Sequence, residues 1–215
     1  MAKINGKELP RFDPNPSAEA GATVLKAAGV PFAVVGRVAV WAYVPPEGQQ
    51  FTKDVDFAVP YGYGPAIEKA VRDAGYEPRK LGIGGLGFRK GGIAVDIIDR
   101  HPAASKLFAD AVAAATTEAS EGVPGGTELP VVPKRFLLAM KLIPHEPDDE
   151  RDAEELLKTM GKTEYREARR LVEEYLGVAG VEYVEVLARR IGHAGAEPRY
   201  GLQDEAGDAD KPRQG

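Results

Sequence analysis

Thr52-Lys53-Asp54-Val55-Asp56-Phe57-Ala58-Val59 sets two acids two residues apart at the head of a short apolar run. Side chains alternate along a strand, so this spacing predicts both carboxylates on one face and Val55 and Phe57 on the other. Two carboxylates about 4 Å apart repel by about 4 kcal/mol at an effective dielectric near 20. A divalent cation between them removes that cost and converts it into binding, and oxygen donors of this kind suit magnesium, or manganese in its place. The ordinary alternative is an Asp-x-Asp pair on the wet face of a strand, so the fold reading needs a third group.

That group stands in Ile93-Ala94-Val95-Asp96-Ile97-Ile98, where a lone charge interrupts an apolar strand. A buried carboxylate without a partner is expensive. Beside the Asp54 strand, Asp96 would complete a set of three acids able to hold one or two metal ions, orient a triphosphate and activate an attacking hydroxyl. At a strand end it would instead pair with a Lys or Arg. Asp99, just past the strand, reads as a turn residue.

Working outward, Phe32 to Val35 is a short apolar strand, Gly36 breaks it, and Val38 to Tyr43 has the mixed apolar character of a buried helix ahead of Pro45, Pro46 and Gly48. Upstream, an arm through Pro10, Pro14 and Pro16 reads as extended. Ser17 then caps a helix that runs to Ala28 and is stopped by Gly29. Downstream, Pro65 to Ala74 reads as a helix ended by Gly75, with its charges on one side. Tyr76 to Leu81, Leu86 to Arg89 and Ile93 to Ile98 follow as strands separated by glycines.

A helix at about Lys106 to Ala115 and a Gly/Pro-rich loop from Gly122 to Gly126 lead into a helical part, near Pro133 to Leu142, Asp149 to Thr159, Glu164 to Leu176 and Val181 to Ile191. The fold class is therefore α+β, a mixed sheet flanked by helices with a C-terminal helical part. Its divisions are an extended arm over 1–16, a core over 17–125, the helical part over 126–192, and a tail over 193–215 whose composition reads as disordered.

Phe32-Ala33-Val34-Val35-Gly36-Arg37, Phe51-Thr52-Lys53-Asp54-Val55-Asp56 and Ile93-Ala94-Val95-Asp96, in that order and spacing, resemble the minimal nucleotidyltransferase pattern of strand, glycine turn into a helix, Asp-x-Asp strand and distant third Asp. The resemblance implies that Gly36 receives the triphosphate, at backbone N–H groups and a helix N-terminus that favour phosphate. It also implies that Asp54, Asp56 and Asp96 bind magnesium. Leu138-Ala139-Met140-Lys141-Leu142, followed by Asp149-Glu150-Arg151-Asp152 and Leu156-Leu157, resembles the helical motif of the AbiEii/AbiGii toxin-like nucleotidyltransferases, so that the likeness spans roughly residues 20 to 160. By that analogy Lys141 contacts the nucleotide phosphates and Asp152 is a catalytic or base-positioning acid. The residue-level alternatives are an exposed helix lysine and a solvated or capping acid pair.

One position departs from the pattern. The residue after the glycine is usually Gly or Ser, and here it is Arg37. A bulky cation there either crowds the phosphate path, which would leave a binding protein without activity, or itself binds phosphate. Thr52 and Lys53 stand intact beside the acids and favour the second.

Other chemistries find little support. Without cysteine, disulfides, thiolate zinc sites and cysteine nucleophiles are excluded, and His101, His145 and His193 lie far apart in sequence. Gly82-Ile83-Gly84-Gly85-Leu86-Gly87 has the letters of a dinucleotide fingerprint, yet another strand follows it rather than a helix, so it reads as a glycine-rich hairpin. Arg89 and Lys90 beyond it could line the cleft. Arg166, Arg169 and Arg170 interleave with glutamates as a salt-bridged face, and Trp41 reads as core. A net charge of −5 speaks against broad charge-driven nucleic-acid binding but leaves room for a local grip on an RNA end. With no apolar run of membrane-spanning length and no signal-like N-terminus, the expected location is the cytoplasm.

The expectation is a magnesium- or manganese-dependent transferase that moves a nucleoside monophosphate from a nucleoside triphosphate to a hydroxyl. The toxin-like resemblance implies an RNA end, such as a transfer RNA, or a protein as acceptor, and a cognate antitoxin as partner. The alternative is a catalytically impaired member of the same fold that binds nucleotide or a partner protein.

Overall fold

The structure is a computed structural model that describes residues 3–4, 7–8, 12–100, 104–118, 123, 128–144 and 146–196. His101, His145, most of the Gly122 to Gly126 loop and the tail from residue 197 lie outside the described residues.

The chain opens on a two-residue antiparallel hairpin, β1 (Lys3–Ile4) and β2 (Lys7–Glu8), where the sequence reads as an extended arm. Helix α1 (Asn15–Ala27) starts ahead of Ser17, with a proline in its first turn. Ser17 is therefore not the cap. It is buried inside the helix, and its hydroxyl accepts the Ala94 N–H at 3.0 Å, tying α1 to the sheet.

β3 (Ala33–Val35) passes directly into α2 (Gly36–Trp41), and a 3-10 turn at Pro46–Gly48 leads to β4 (Val55–Ala58). Helix α3 (Gly64–Asp73), β5 (Arg79–Lys80), β6 (Leu86–Lys90) and β7 (Ile93–Ile98) complete the α+β core. β5 is far shorter than the Tyr76 to Leu81 run suggests. Pro78 has no N–H to give a ladder, and the Tyr76 ring stacks on Phe88 with centroids 4.5 Å apart. As expected, the glycine run is the turn between β5 and β6.

The five strands lie in the order β3-β4-β7-β6-β5, with β4 parallel to β7 and every other pair antiparallel. Alternation gives the sheet two unlike faces. Val55, Phe57, Val95 and Ile97 are buried on the face covered by α1 and α3. Gly21 of α1 leaves room there for Phe57, because a Cβ on it would lie 2.3 Å from the ring. Asp56 and Asp96 point the other way, toward α2. The outer edge of β3 is closed by Pro130 to Val132, through Val34 N–H to Pro130 O at 2.8 Å and Val132 N–H to Val34 O at 3.1 Å.

The C-terminal layer contains α4 (Ser105–Thr117), α5 (Lys134–Lys141), α6 (Pro147–Lys158) and α7 (Lys162–Arg190). In α5 every residue from Phe136 to Met140 is buried, the mark of a helix packed on all sides. It lies between α2, α6 and α7 and so delivers Lys141, at its last position, to the end of α2. Helix α7 is broken at Gly177, whose φ of 67° and ψ of −163° are not helical. The two stretches it separates match the two helices read from the sequence. Arg169 pairs across this break with Glu185 at 2.7 Å. None of the described helices is long and apolar enough to cross a membrane.

Candidate active site

A single row of residues crosses the sheet in register. Val35 of β3 faces Asp56 of β4, Asp56 faces Asp96 of β7, Asp96 faces Gly87 of β6, and Gly87 faces Arg79 of β5. Asp54 sits just before β4, two residues from Asp56. The three acids are thus on neighbouring strands at one end of a sheet face, and Gly36 ends the row. A Cβ built on Gly36 would lie 2.0 Å from Asp56 Oδ2, and its φ of +64° is one that L side chains rarely adopt. The turn from β3 into α2 therefore presses its backbone onto the Asp56 carboxylate. Glycine is required twice over, by conformation and by space.

The acids are not equivalent. Asp54 Oδ1 accepts the hydroxyl of buried Thr52 at 3.0 Å, and its Oδ2 accepts Arg89 Nη2 at 2.9 Å. Asp96 Oδ1 accepts Arg89 Nη1 at 2.8 Å and lies 3.5 Å from Arg79 Nη2. One guanidinium therefore bridges two of the three carboxylates. Gly87 makes this possible, since a Cβ there would lie 2.3 Å from Asp96 Oδ1 and block the approach. Asp56 has no hydrogen bond or ion pair among the described residues. Burial, with the charges of Asp54 and Asp96, pushes its carboxyl up to about 7, against the opposing pull of Lys141 and Arg37. The two carboxylates that Arg89 bridges thus lie beside a third that it does not reach.

Lys141 and Arg37 act on Asp56 from a second cluster, contributed by α2, α5 and α6. Lys141 Nζ lies 2.7 Å from both Asp149 Oδ1 and Asp152 Oδ2. Arg37 reaches the same Asp152 oxygen with Nε at 3.3 Å, Asp148 with Nη2 at 3.3 Å, and the Phe51 carbonyl with Nη1 at 2.8 Å. Burial works against the charge on both cations, but the surrounding acids outweigh it and raise both pKa values. Asp152 is only 1% exposed, and its Oδ1 has no hydrogen-bond partner among the described residues. Asp148 and Asp149 lie in the first turn of α6, where the helix dipole favours acids.

Two solved structures are similar to this chain. The solution structure of the antibiotic-resistance factor ANT(2'')-Ia has a TM-score of 0.45 and 18% identity over 81% of this chain and 90% of that one. The crystal structure of ANT(2'')-Ia in complex with adenylyl-2''-tobramycin has a TM-score of 0.43 and 21% identity over 82% of this chain and 97% of that one. No family model and no curated protein matches the chain. At that level of similarity the chain's own side chains carry the functional reading.

Among the described residues, no three His, Cys, Asp or Glu side chains converge as ligands of a metal ion do. The hydrogen bonds explain why, since Asp54 and Asp96 are both turned to Arg89. The donor set still fits a hard divalent cation. It offers three carboxylates in neighbouring positions, and burial together with the charges of the other two pushes one of them, Asp56, toward neutrality.

Of the candidate site residues, Gly36, Arg37, Thr52, Asp54, Asp56, Asp96, Lys141 and Asp152 fall in or beside these two clusters, and Lys53 is exposed. The sequence reading missed Arg79, Gly87 and Asp148, and it left Arg89 only as a residue that could line the cleft. Alternation from Gly87 puts Arg89 on the face of the acids and turns Lys90 away, and Lys90 accordingly donates to the Gly75 carbonyl at 3.1 Å. Trp41 is partly buried and gives its indole N–H to Gln50 O at 2.9 Å. His193 packs on Tyr165, with ring centroids 4.6 Å apart, and is not part of the site. A cavity of about 560 Å³ lined by Ile67, Arg72, Leu86 and Ile97 opens on the opposite face of the sheet.

Proposed function

We propose that the protein transfers a nucleoside monophosphate from a nucleoside triphosphate to a hydroxyl of an acceptor. The observation that carries this reading is the Gly36 turn seated on Asp56, with Asp96 in register beside it. Backbone N–H groups at a helix start and carboxylates below them are what a metal-bound triphosphate requires.

Asp54, Asp56 and Asp96 would hold magnesium or manganese, which when bound neutralises charge on the phosphates and lowers the pKa of an oxygen it touches. The Gly36 turn and the start of α2 receive phosphate oxygens. Lys141 and Arg37 provide positive charge at the back of the turn, and exposed Lys53 adds a mobile cation at the entrance. Thr52 orients Asp54. Asp152, buried with both cations on its Oδ2, acts as a positioning residue and does not touch substrate. In the transfer, the acceptor oxygen forms a bond to the α-phosphorus, the bond from the α-phosphorus to the bridging oxygen breaks, and pyrophosphate leaves. The hydroxyl proton goes to the carboxylate cluster, a role assigned to Asp96.

For the acceptor we propose the hydroxyl of an RNA end, such as a transfer RNA, or of a protein, in a toxin controlled by a cognate antitoxin. That part rests on the likeness of Lys141, Asp149 and Asp152 to the toxin-like pattern. The second reading, a binding protein disabled by Arg37, is disfavoured by one observation: the guanidinium is already held by Asp148, Asp152 and the Phe51 carbonyl. Equilibrium binding of a non-hydrolysable triphosphate tests the metal and nucleotide site that both readings share, and transfer of label from an α-labelled triphosphate by the wild type tests the first. Binding should require magnesium and disappear in Asp54→Ala/Asp56→Ala. Turnover that appears only in Arg37→Ser would establish the disabled protein instead.

A further inference from the structure

The Arg89 guanidinium occupies the carboxylates that the proposed function gives to the metal. Nη1 and Nη2 each donate a short hydrogen bond, one to Asp96 at 2.8 Å and one to Asp54 at 2.9 Å. A guanidinium stays protonated in proteins, so Arg89 remains a cation. The contact is built into the sheet: Arg89 and Gly87 share a face of β6, Gly87 faces Asp96, and the bare glycine leaves the path open. Yet the side chain is not locked, with 38% of it exposed, and among the described residues only Asp54 and Asp96 hold its end. Asp56 remains outside the bridge and without a cation of its own.

We propose that Arg89 is a resident counter-cation that exchanges with the divalent metal. It neutralises Asp54 and Asp96 in the ligand-free protein and must leave them for an ion to bind, so guanidinium and metal exclude each other. This inference rests on the metal-dependent reading of the site. Its chemical basis is simple: Asp54 Oδ2 and Asp96 Oδ1 are turned to the guanidinium, and a divalent ion held by the same two carboxylates would be strongly repelled by it. The exchange needs no backbone movement, because a long exposed side chain can swing into solvent.

The test is titration of Mn2+, without nucleotide, into the wild type, Arg89→Gln, Arg89→Lys and Asp54→Asn, read by calorimetry and by the spin-resonance signal of the free ion. Removing a competing pair of charge-assisted hydrogen bonds should tighten Mn2+ binding in Arg89→Gln by about tenfold. Arg89→Lys keeps a charge but cannot bridge both acids, and should fall between Arg89→Gln and the wild type. It also serves as the folded comparison if Arg89→Gln does not fold. A structural role for Arg89 would weaken binding or leave it unchanged. If the wild type binds Mn2+, Asp54→Asn abolishes that binding, and neither Arg89 variant binds more tightly, the exchange is wrong while the metal site stands. If neither the wild type nor the Arg89 variants bind Mn2+, the metal reading fails and the exchange fails with it.

Discussion

Replacing Gly36 with alanine should destabilise the protein through two separable effects. The first is conformational: at φ +64° an L residue costs about 1 to 2 kcal/mol. The second is steric. The new methyl would lie 2.0 Å from Asp56 Oδ2, 2.7 Å from its Cγ and 2.9 Å from its Cβ. The carboxylate must then turn away from a staggered rotamer, at a further cost of about 1 kcal/mol. Gly29 supplies the control, with nearly the same φ of +65° and nothing within 4 Å of a built Cβ. Gly29→Ala should therefore show the first effect alone. The difference of about 1 kcal/mol corresponds to about 2 to 4 °C in melting temperature for a chain of this size, and urea unfolding resolves it independently. In an Asp56→Gly background the three nearest atoms the methyl would meet are gone, so the cost of Gly36→Ala should fall toward that of Gly29→Ala. The close approach of the Gly36 turn to Asp56 is refuted if the two alanine variants are equally stable, or if the Asp56→Gly background changes nothing.

With its carboxyl pushed up to about 7, Asp56 keeps a proton that the unfolded chain releases near about pH 3.9. Stability is therefore lost as pH rises from about 4 to about 7, and the penalty is complete above that range. Asp56→Asn should accordingly gain stability over the wild type between pH 5 and pH 8 in EDTA, by up to about 4 kcal/mol; a pH-independent difference in melting temperature would count against it. Lys141→Met leaves buried Asp152 with Arg37 as its remaining cation, so a loss of about 3 kcal/mol, at the low end for a broken buried pair, is expected in urea. A midpoint within error of the wild type would mean that the pair is not buried as described. Gly87→Ala should displace Asp96, since the new Cβ would lie 2.3 Å from its Oδ1. Magnesium-dependent nucleotide binding should weaken by about tenfold or more, equivalent to about 1.4 kcal/mol, and unchanged binding would show that Asp96 has no part in it.

The parts of the fold fixed by local rules were legible in the sequence. Asp-x-Asp at a strand head, the lone Asp96 in an apolar strand and the glycine after Val35 each have a local signature, and the α+β class follows from the order of such segments. The pairing of Asp56 with Asp96 was legible only as a condition, because register between distant strands is a tertiary property. The same limit hid Arg79 and the bridging role of Arg89, which follow from the row through Gly87 and from nothing near either arginine in sequence. Asp148 was missed for a related reason: as a first-turn helix acid it has a sufficient local explanation, and only the position of α2 makes it a partner of Arg37. Ser17 shows the reverse error, where a strong local signal for a cap was overridden by tertiary contact. Helix α1 starts earlier, and the hydroxyl serves the Ala94 N–H on the neighbouring strand.

The most direct test of the central claim is transfer itself. The protein is incubated with magnesium and each of the four nucleoside triphosphates labelled at the α-phosphate, together with total RNA and cell extract, beside Asp54→Ala/Asp56→Ala. The site described above predicts label covalently attached to RNA or protein by the wild type alone, which also names the acceptor class. If no label is transferred while magnesium-dependent nucleotide binding is intact, the protein is a nucleotide-binding member of the fold and the claim of nucleotidyl transfer is wrong.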